Sequence, residues 1–109
     1  MSKIIEKLNA AARTLEDEQR NIKHHLRLDH REIGLGRASN LMSNKYYTRQ
    51  KLRAHYLVTA FLKGQPYRMV ESKSTEPVNY MTVHHAKNII TECDLEDTAF
   101  HTFQRWLTN

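Results

Sequence analysis

Arg20, Lys23, Arg27 and Arg31 recur at spacings of three, four and four, and Lys45, Arg49 and Arg53 repeat a spacing of four further along the chain. On a helix such spacings align side chains on one face. A row of guanidinium and ammonium groups suits the oxygens of successive phosphates. Tyr46, Tyr47 and His55 are interleaved with the second row, and a tyrosine ring in that setting can stack on an exposed base. Arg20, Lys23, Arg27, Arg31, Lys45, Arg49, Arg53, Tyr46 and Tyr47 therefore form the candidate binding set. The plain alternative is a solvated basic helix face.

Other chemistry has weaker support. Seven histidines, including the pairs His24-His25 and His84-His85 together with His30, raise the question of a metal. Adjacent residues on a helix point about 100° apart, so each pair offers one ligand comfortably, and His25 with Asp29 at helical spacing offers two. No cysteine pair and no His-Glu-x-x-His arrangement accompanies them, so neither a metal nor another cofactor is expected. Cys93 stands among Glu92, Asp94 and Glu96, which disfavour a thiolate, and it reads as a small core residue. Gly34 and Gly36 lack the third glycine or the Lys-Ser/Thr of nucleotide-binding loops, and no Gly-x-Ser-x-Gly elbow is present. Acid-base cleavage of RNA needs little more than a histidine or two and a cation. A small metal-independent ribonuclease thus stays as a third reading, without nominated catalytic residues.

The distribution of charge says more than its sum of +5. Residues 20–73 carry twelve basic and three acidic side chains, whereas residues 1–19 carry three and four, and residues 74–109 carry two and five. Like charge gathered in one region steers an acidic partner toward it, either nucleic acid or an acidic protein surface. The single cysteine cannot form an internal disulfide, and no apolar run approaches the length of a signal-peptide core or a membrane span. A cytoplasmic protein with no membrane partner is expected.

The elements that must position these residues are helical. Only three glycines and two prolines punctuate 109 residues, too few for the closely spaced turns of an all-β domain. Residues 2–30 contain neither, and Ile4, Leu8, Ala11, Leu15, Ile22 and Leu26 mark a stripe with a seven-residue, coiled-coil-like repeat. Such a helix, roughly 40 Å long, packs as one arm of a hairpin or against a second copy of the chain as a homodimer. Residues 31–44, with Gly34, Gly36, Ser39, Asn40, Ser43 and Asn44, read as a connector. A second helix over 45–63 turns Leu52, Tyr56, Leu57, Ala60 and Phe61 inward and stops at Gly64, with Pro66 forbidding continuation. Residues 65–76 read as irregular or briefly extended. A third helix begins near Pro77 and carries Val83, Ala86, Ile90 and Cys93, and a fourth begins after Asp94 as N-cap, with Leu95, Ala99, Phe103, Trp106 and Leu107. Read as a helix-turn-helix, the last two helices would present Glu96, Asp97 and only Arg105 to DNA, a poor complement to phosphate.

Residues 57–71 read Leu-Val-Thr-Ala-Phe-Leu-Lys-Gly-Gln-Pro-Tyr-Arg-Met-Val-Glu. An apolar helix ending in Phe-Leu-basic-Gly, followed by Pro-Tyr and a Glu four residues beyond that Tyr, resembles a group of short tailed-bacteriophage proteins, with similarity spanning residues 53–90. In those proteins too a long N-terminal helix precedes the motif. The resemblance implies a phage-encoded, cytosolic accessory protein and carries over no activity and no catalytic residue. On physical grounds Gly64 caps, Pro66 turns, and Tyr67 packs its ring back on the hairpin.

The expectation is a single all-α domain: a long helical hairpin with a C-terminal helical pair. The expected function is non-catalytic binding of nucleic acid through the basic hairpin. A phage-encoded inhibitor docking on an acidic host protein is the runner-up. Labelled RNA incubated with the protein in chelator is predicted to stay intact; cleavage abolished by changing one histidine to alanine would promote the ribonuclease reading.

Overall fold

The computed structural model describes residues 2–26, 35–71, 78–96 and 98–108. The fold is all-α, with α1 at Ser2–Leu26, α2 at Leu35–Leu62, α3 at Tyr67–Glu71, α4 at Tyr80–Glu92 and α5 at Ala99–Thr108. The apolar stripe of α1 is used within the chain. Leu8, Ala12 and Leu15 are buried, with Ile4 and Ile22 half-buried. Leu15 and Ala12 cluster with Leu52, and Leu8 clusters with Leu57 and Val58, so later residues of α1 meet earlier residues of α2 and the pair is antiparallel. This is the expected hairpin, with Ala12 rather than Ala11 taking the deepest alanine position.

α2 begins ten residues before the expected start at Lys45, so most of the proposed connector over 31–44 is helix; residues 31–34 lie outside the described residues. Ser and Asn cost only about 0.5–0.7 kcal/mol each relative to Ala in a helix. No proline interrupts 35–62, and Gly36 falls in the first turn, so weak propensity is overridden. The C-terminus is as expected. Gly64 takes a left-handed φ of +76°, its N–H donates to Phe61 O at 3.1 Å, and Gln65 N–H donates to Ala60 O at 3.0 Å. That pair of bonds is a Schellman closure.

α4 lies along α2 and runs in the same direction. Asn79 meets Tyr46, Thr82 meets Gln50, and Glu92 acts electrostatically on His55. Its start is at Tyr80 rather than near Pro77, because Asn79 caps it: the Asn79 Oδ1 accepts from Met81 N and Thr82 N at 3.0 and 3.1 Å. Asp94 was expected to cap the last helix. Instead it closes α4 from beyond its C-terminus in a left-handed conformation, φ 52°, which Asp tolerates better than most residues. Its N–H donates to Thr91 O. Between Gly64 and α4 the expected irregular stretch holds the one short helix α3, and 72–77 lie outside the described residues.

α5 docks at the C-terminal end of α2 through aromatic rings. Phe103 is fully buried, its centroid 5.5 Å from Phe61 and 5.7 Å from Trp106. Tyr67 packs edge-on to Trp106 at 5.2 Å, and Trp106 Nε1 donates to Gln65 O at 2.7 Å. The Gly64-Pro66 turn thus presents both a ring and a carbonyl to the last helix. One main cluster results, containing Leu8, Ala54, Leu57, Val58, Ala86, Ile89, Ile90 and Phe103.

Neighbouring positions on α2 should respond oppositely to truncation. Leu57 is 3% exposed, whereas Tyr56, expected to face inward, is 45% exposed and donates its hydroxyl to Glu16 at the edge of the hairpin. Leu57→Ala is expected to cost about 2–5 kcal/mol in denaturant melts, and Tyr56→Phe less than about 1.5 kcal/mol. Equal losses at the two sites would contradict this packing.

Candidate nucleic-acid interface

α2 is covered on two flanks. Leu52 faces Ala12 and Leu15 of α1 on one side, and on the other the Thr82 hydroxyl of α4 donates to Gln50 Oε1 at 2.6 Å. At about 100° per residue the direction of Arg49 falls between these flanks. Lys45, Arg49, Arg53 and Tyr56 then follow one another at spacings of four, four and three, which keeps them on one strip. Arg49 and Tyr56 are exposed there, and Lys45 and Arg53 half-buried.

Arg20 of α1 borders the same strip. Tyr56 reaches across to Glu16, and Arg20 lies one turn beyond Glu16, on the same side of α1; the side chain of Lys23 lies outside the described residues. Arg20 is exposed and ion-paired with Asp17. That surface pair contributes little stability but offsets part of the charge of the row. Arg27 and Arg31 lie outside the described residues.

The two tyrosines of the candidate set part company. Tyr46 stays with the cations: the Arg49 guanidinium carbon sits 5.7 Å from its ring centroid, a cation-π distance. Its hydroxyl accepts from Asn79 Nδ2 at 3.2 Å. Tyr47 turns toward α4, its ring perpendicular to His85 at 4.8 Å. Both remain partly open, at 41% and 50% exposure. With Ser43, Asn44 and Met81 they line an open cleft of about 560 Å³.

The histidines divide by burial. His84 and His101 are exposed, while His55 and His85 are buried beside α2 and α4. His55 Nδ1, His85 Nε2 and Gln50 Nε2 are buried without a hydrogen-bond partner among the described residues. Burial holds both imidazoles below their ordinary range. Lys51 and His85 add to that at His55 against the attraction of Glu92, and His84 and Lys51 add to it at His85. The Cys93 thiol is pushed up chiefly by burial, with Glu92 and Asp94 reinforcing it against Lys7. The Tyr56 phenol is pushed up to about 12 by burial and then by the Glu16 carboxylate. Among the described residues no group of three or more His, Cys, Asp or Glu is placed to hold a metal ion, and no helix is long and apolar enough to cross a membrane.

Asn79 and Tyr80 belong to this neighbourhood and were not nominated from the sequence. An Asn ahead of an apolar helical run is an N-cap signal, but Pro77 offered a competing start, and nothing local tells that Tyr80 is 83% exposed. No known protein family matches this chain, and no characterised protein or solved structure was found similar to it. The phage resemblance therefore rests on the motif at residues 57–71 itself.

The buried imidazoles give the fold a pH dependence of definite sign. The unfolded chain takes up protons near pH 6.5, whereas the folded chain resists them to lower pH, so stability is complete above about 6.5 and declines as pH falls through the folded values. Melting temperature is expected to drop between pH 7 and pH 5, and His85→Met should flatten that slope. A slope that survives in His85→Met and in His55→Met alike would show that these groups do not control it.

Proposed function

We propose that this protein binds nucleic acid through the α1–α2 hairpin, by contact with backbone phosphates rather than by reading base edges. The observation that carries this reading is the open strip of α2, where Lys45, Arg49 and Arg53 follow one another along the one flank that neither α1 nor α4 covers. The α1 flank bearing Arg20 borders that strip, which extends the basic face to a second helix. Successive turns of a helix advance about 5.4 Å, a spacing at which cations can serve neighbouring phosphates of a strand.

A second reading has an observation of its own. Exposed Tyr46 and Tyr47 beside Arg49 have the composition of protein-protein hot spots. Together with the phage-like motif they favour an inhibitor that docks on an acidic host protein.

Titration of random-sequence DNA and RNA at three salt concentrations separates the two. For nucleic acid, log affinity should fall linearly with log salt, with a slope of about −0.9 per phosphate neutralised on duplex DNA and about −0.7 on single strands. Arg49→Ala and Arg53→Ala should each flatten the slope by about one unit and weaken all sequences alike, whereas Arg105→Ala on α5 should leave it unchanged. Absence of binding at low salt would sink the nucleic-acid reading and leave the acidic-protein one.

A further inference from the structure

Resting on the nucleic-acid reading above, we infer that the ligand is a single strand, whose bases stack on Tyr46 and Tyr80 while Lys45, Arg49 and Arg53 hold its phosphates. The argument begins with an aromatic ring that is fixed but not buried. Asn79 is held at both ends of its amide. Its Oδ1 accepts from Met81 N and Thr82 N, and its Nδ2 donates to the Tyr46 hydroxyl. Thr82 is in turn fully buried and bonded to Gln50. The Tyr46 ring is thereby tethered to the core through two side chains and backed by Arg49 at 5.7 Å, yet it stays 41% exposed. A ring positioned before its ligand arrives loses little freedom on binding.

Tyr80 follows Asn79 directly and is the most exposed large apolar side chain of the described residues, at 83%. Its ring supports nothing in the core, while its neighbour Met81 joins Tyr46 and Tyr47 in lining the adjacent cleft. The cleft is open and is lined by exposed tyrosine rings, which an unstacked base can reach. Tyr46 thus stands beside Arg49, and Tyr80 directly follows the residue that holds the Tyr46 hydroxyl. A duplex would satisfy only the cations, because its bases are already stacked and paired. A single strand presents phosphate and π-face together, and base-aromatic stacking is tolerant of sequence.

The test uses the full chain and labelled poly(dT), poly(U) and a duplex of equal length, followed by fluorescence anisotropy at one low salt concentration. The single strands are expected to bind about tenfold or more tighter than the duplex. Tyr80→Ala should remove about tenfold from single-strand affinity and leave duplex affinity unchanged, and Tyr80→Phe, which keeps the ring, should restore binding. Tyr80 packs so little that the variant is expected to melt like the parent, which the same samples can verify. Tyr46→Ala should reproduce the loss, whereas Arg49→Ala should weaken single strand and duplex together. Equal or better duplex binding, or a Tyr80→Ala variant indistinguishable from the parent on poly(dT) and poly(U), would overturn the single-strand inference and leave the phosphate-binding reading intact. No binding of any of the three would overturn both.

Discussion

A helix gripped from two sides governs this molecule. α2 carries the α1 contact through Leu52 and the α4 contact through Gln50, and its apolar residues Leu52, Ala54, Leu57, Val58 and Ala60 are buried around much of its circumference. It therefore lacks a single apolar stripe, unlike α1, and among the described residues the strip bearing Arg49 and Tyr56 stays open to water or a partner. Charge on that strip loses less hydration than it would on the flanks packed against α1 and α4, where burial of a charge is costly. The position of the basic row follows from the packing as much as from any function it serves.

The same two-sided grip explains what could be read beforehand. The α1 stripe and the Gly64 stop are local patterns, each set by residues within a turn or two of one another, and both are found, with Ala12 in place of Ala11; the Tyr67 ring packs against the main core, but its aromatic partner is Trp106, far along the chain. The spacing of Arg49 and Arg53 is equally local. The start of α2 at Leu35, the outward turn of Tyr56 and the departure of Tyr47 toward His85 are decided by which neighbour covers which flank. No pattern within α2 encodes that. Asn79 and Pro77 competed as helix starts within three residues, and the bonds from Asn79 to the α4 backbone and to Tyr46 are what distinguish them. Cys93 was read as unreactive because of its acidic neighbours; burial is the larger cause.

Between α2 and α4 the interface mixes apolar contact with a buried polar set. Thr82 and Gln50 bond at 2.6 Å in a fully buried setting, and such a bond defines one axial register, since a slip of one residue along α4 would strand both groups. Ala86, Ile89 and Ile90 contribute burial without that directional demand. The orphaned nitrogens of Gln50, His55 and His85 are the counterpart: polar atoms retained at an interface where an apolar side chain would cost less. Register and sensitivity to acid thus arise from one small group of residues.

Trp106 is the only tryptophan in the chain, and its indole N–H is bonded to the carbonyl of Gln65 while its ring meets Phe61, Tyr67 and Phe103. Intrinsic emission therefore watches one joint of the molecule, the seat of α5 on the turn that follows α2. Far-ultraviolet dichroism is dominated by the 25 and 28 residues of α1 and α2. The two optical signals consequently observe opposite regions of the same chain. Their coincidence during unfolding would mean that the hairpin and its C-terminal cover melt as one cooperative unit; their separation would mark α5 as a piece that lifts away first.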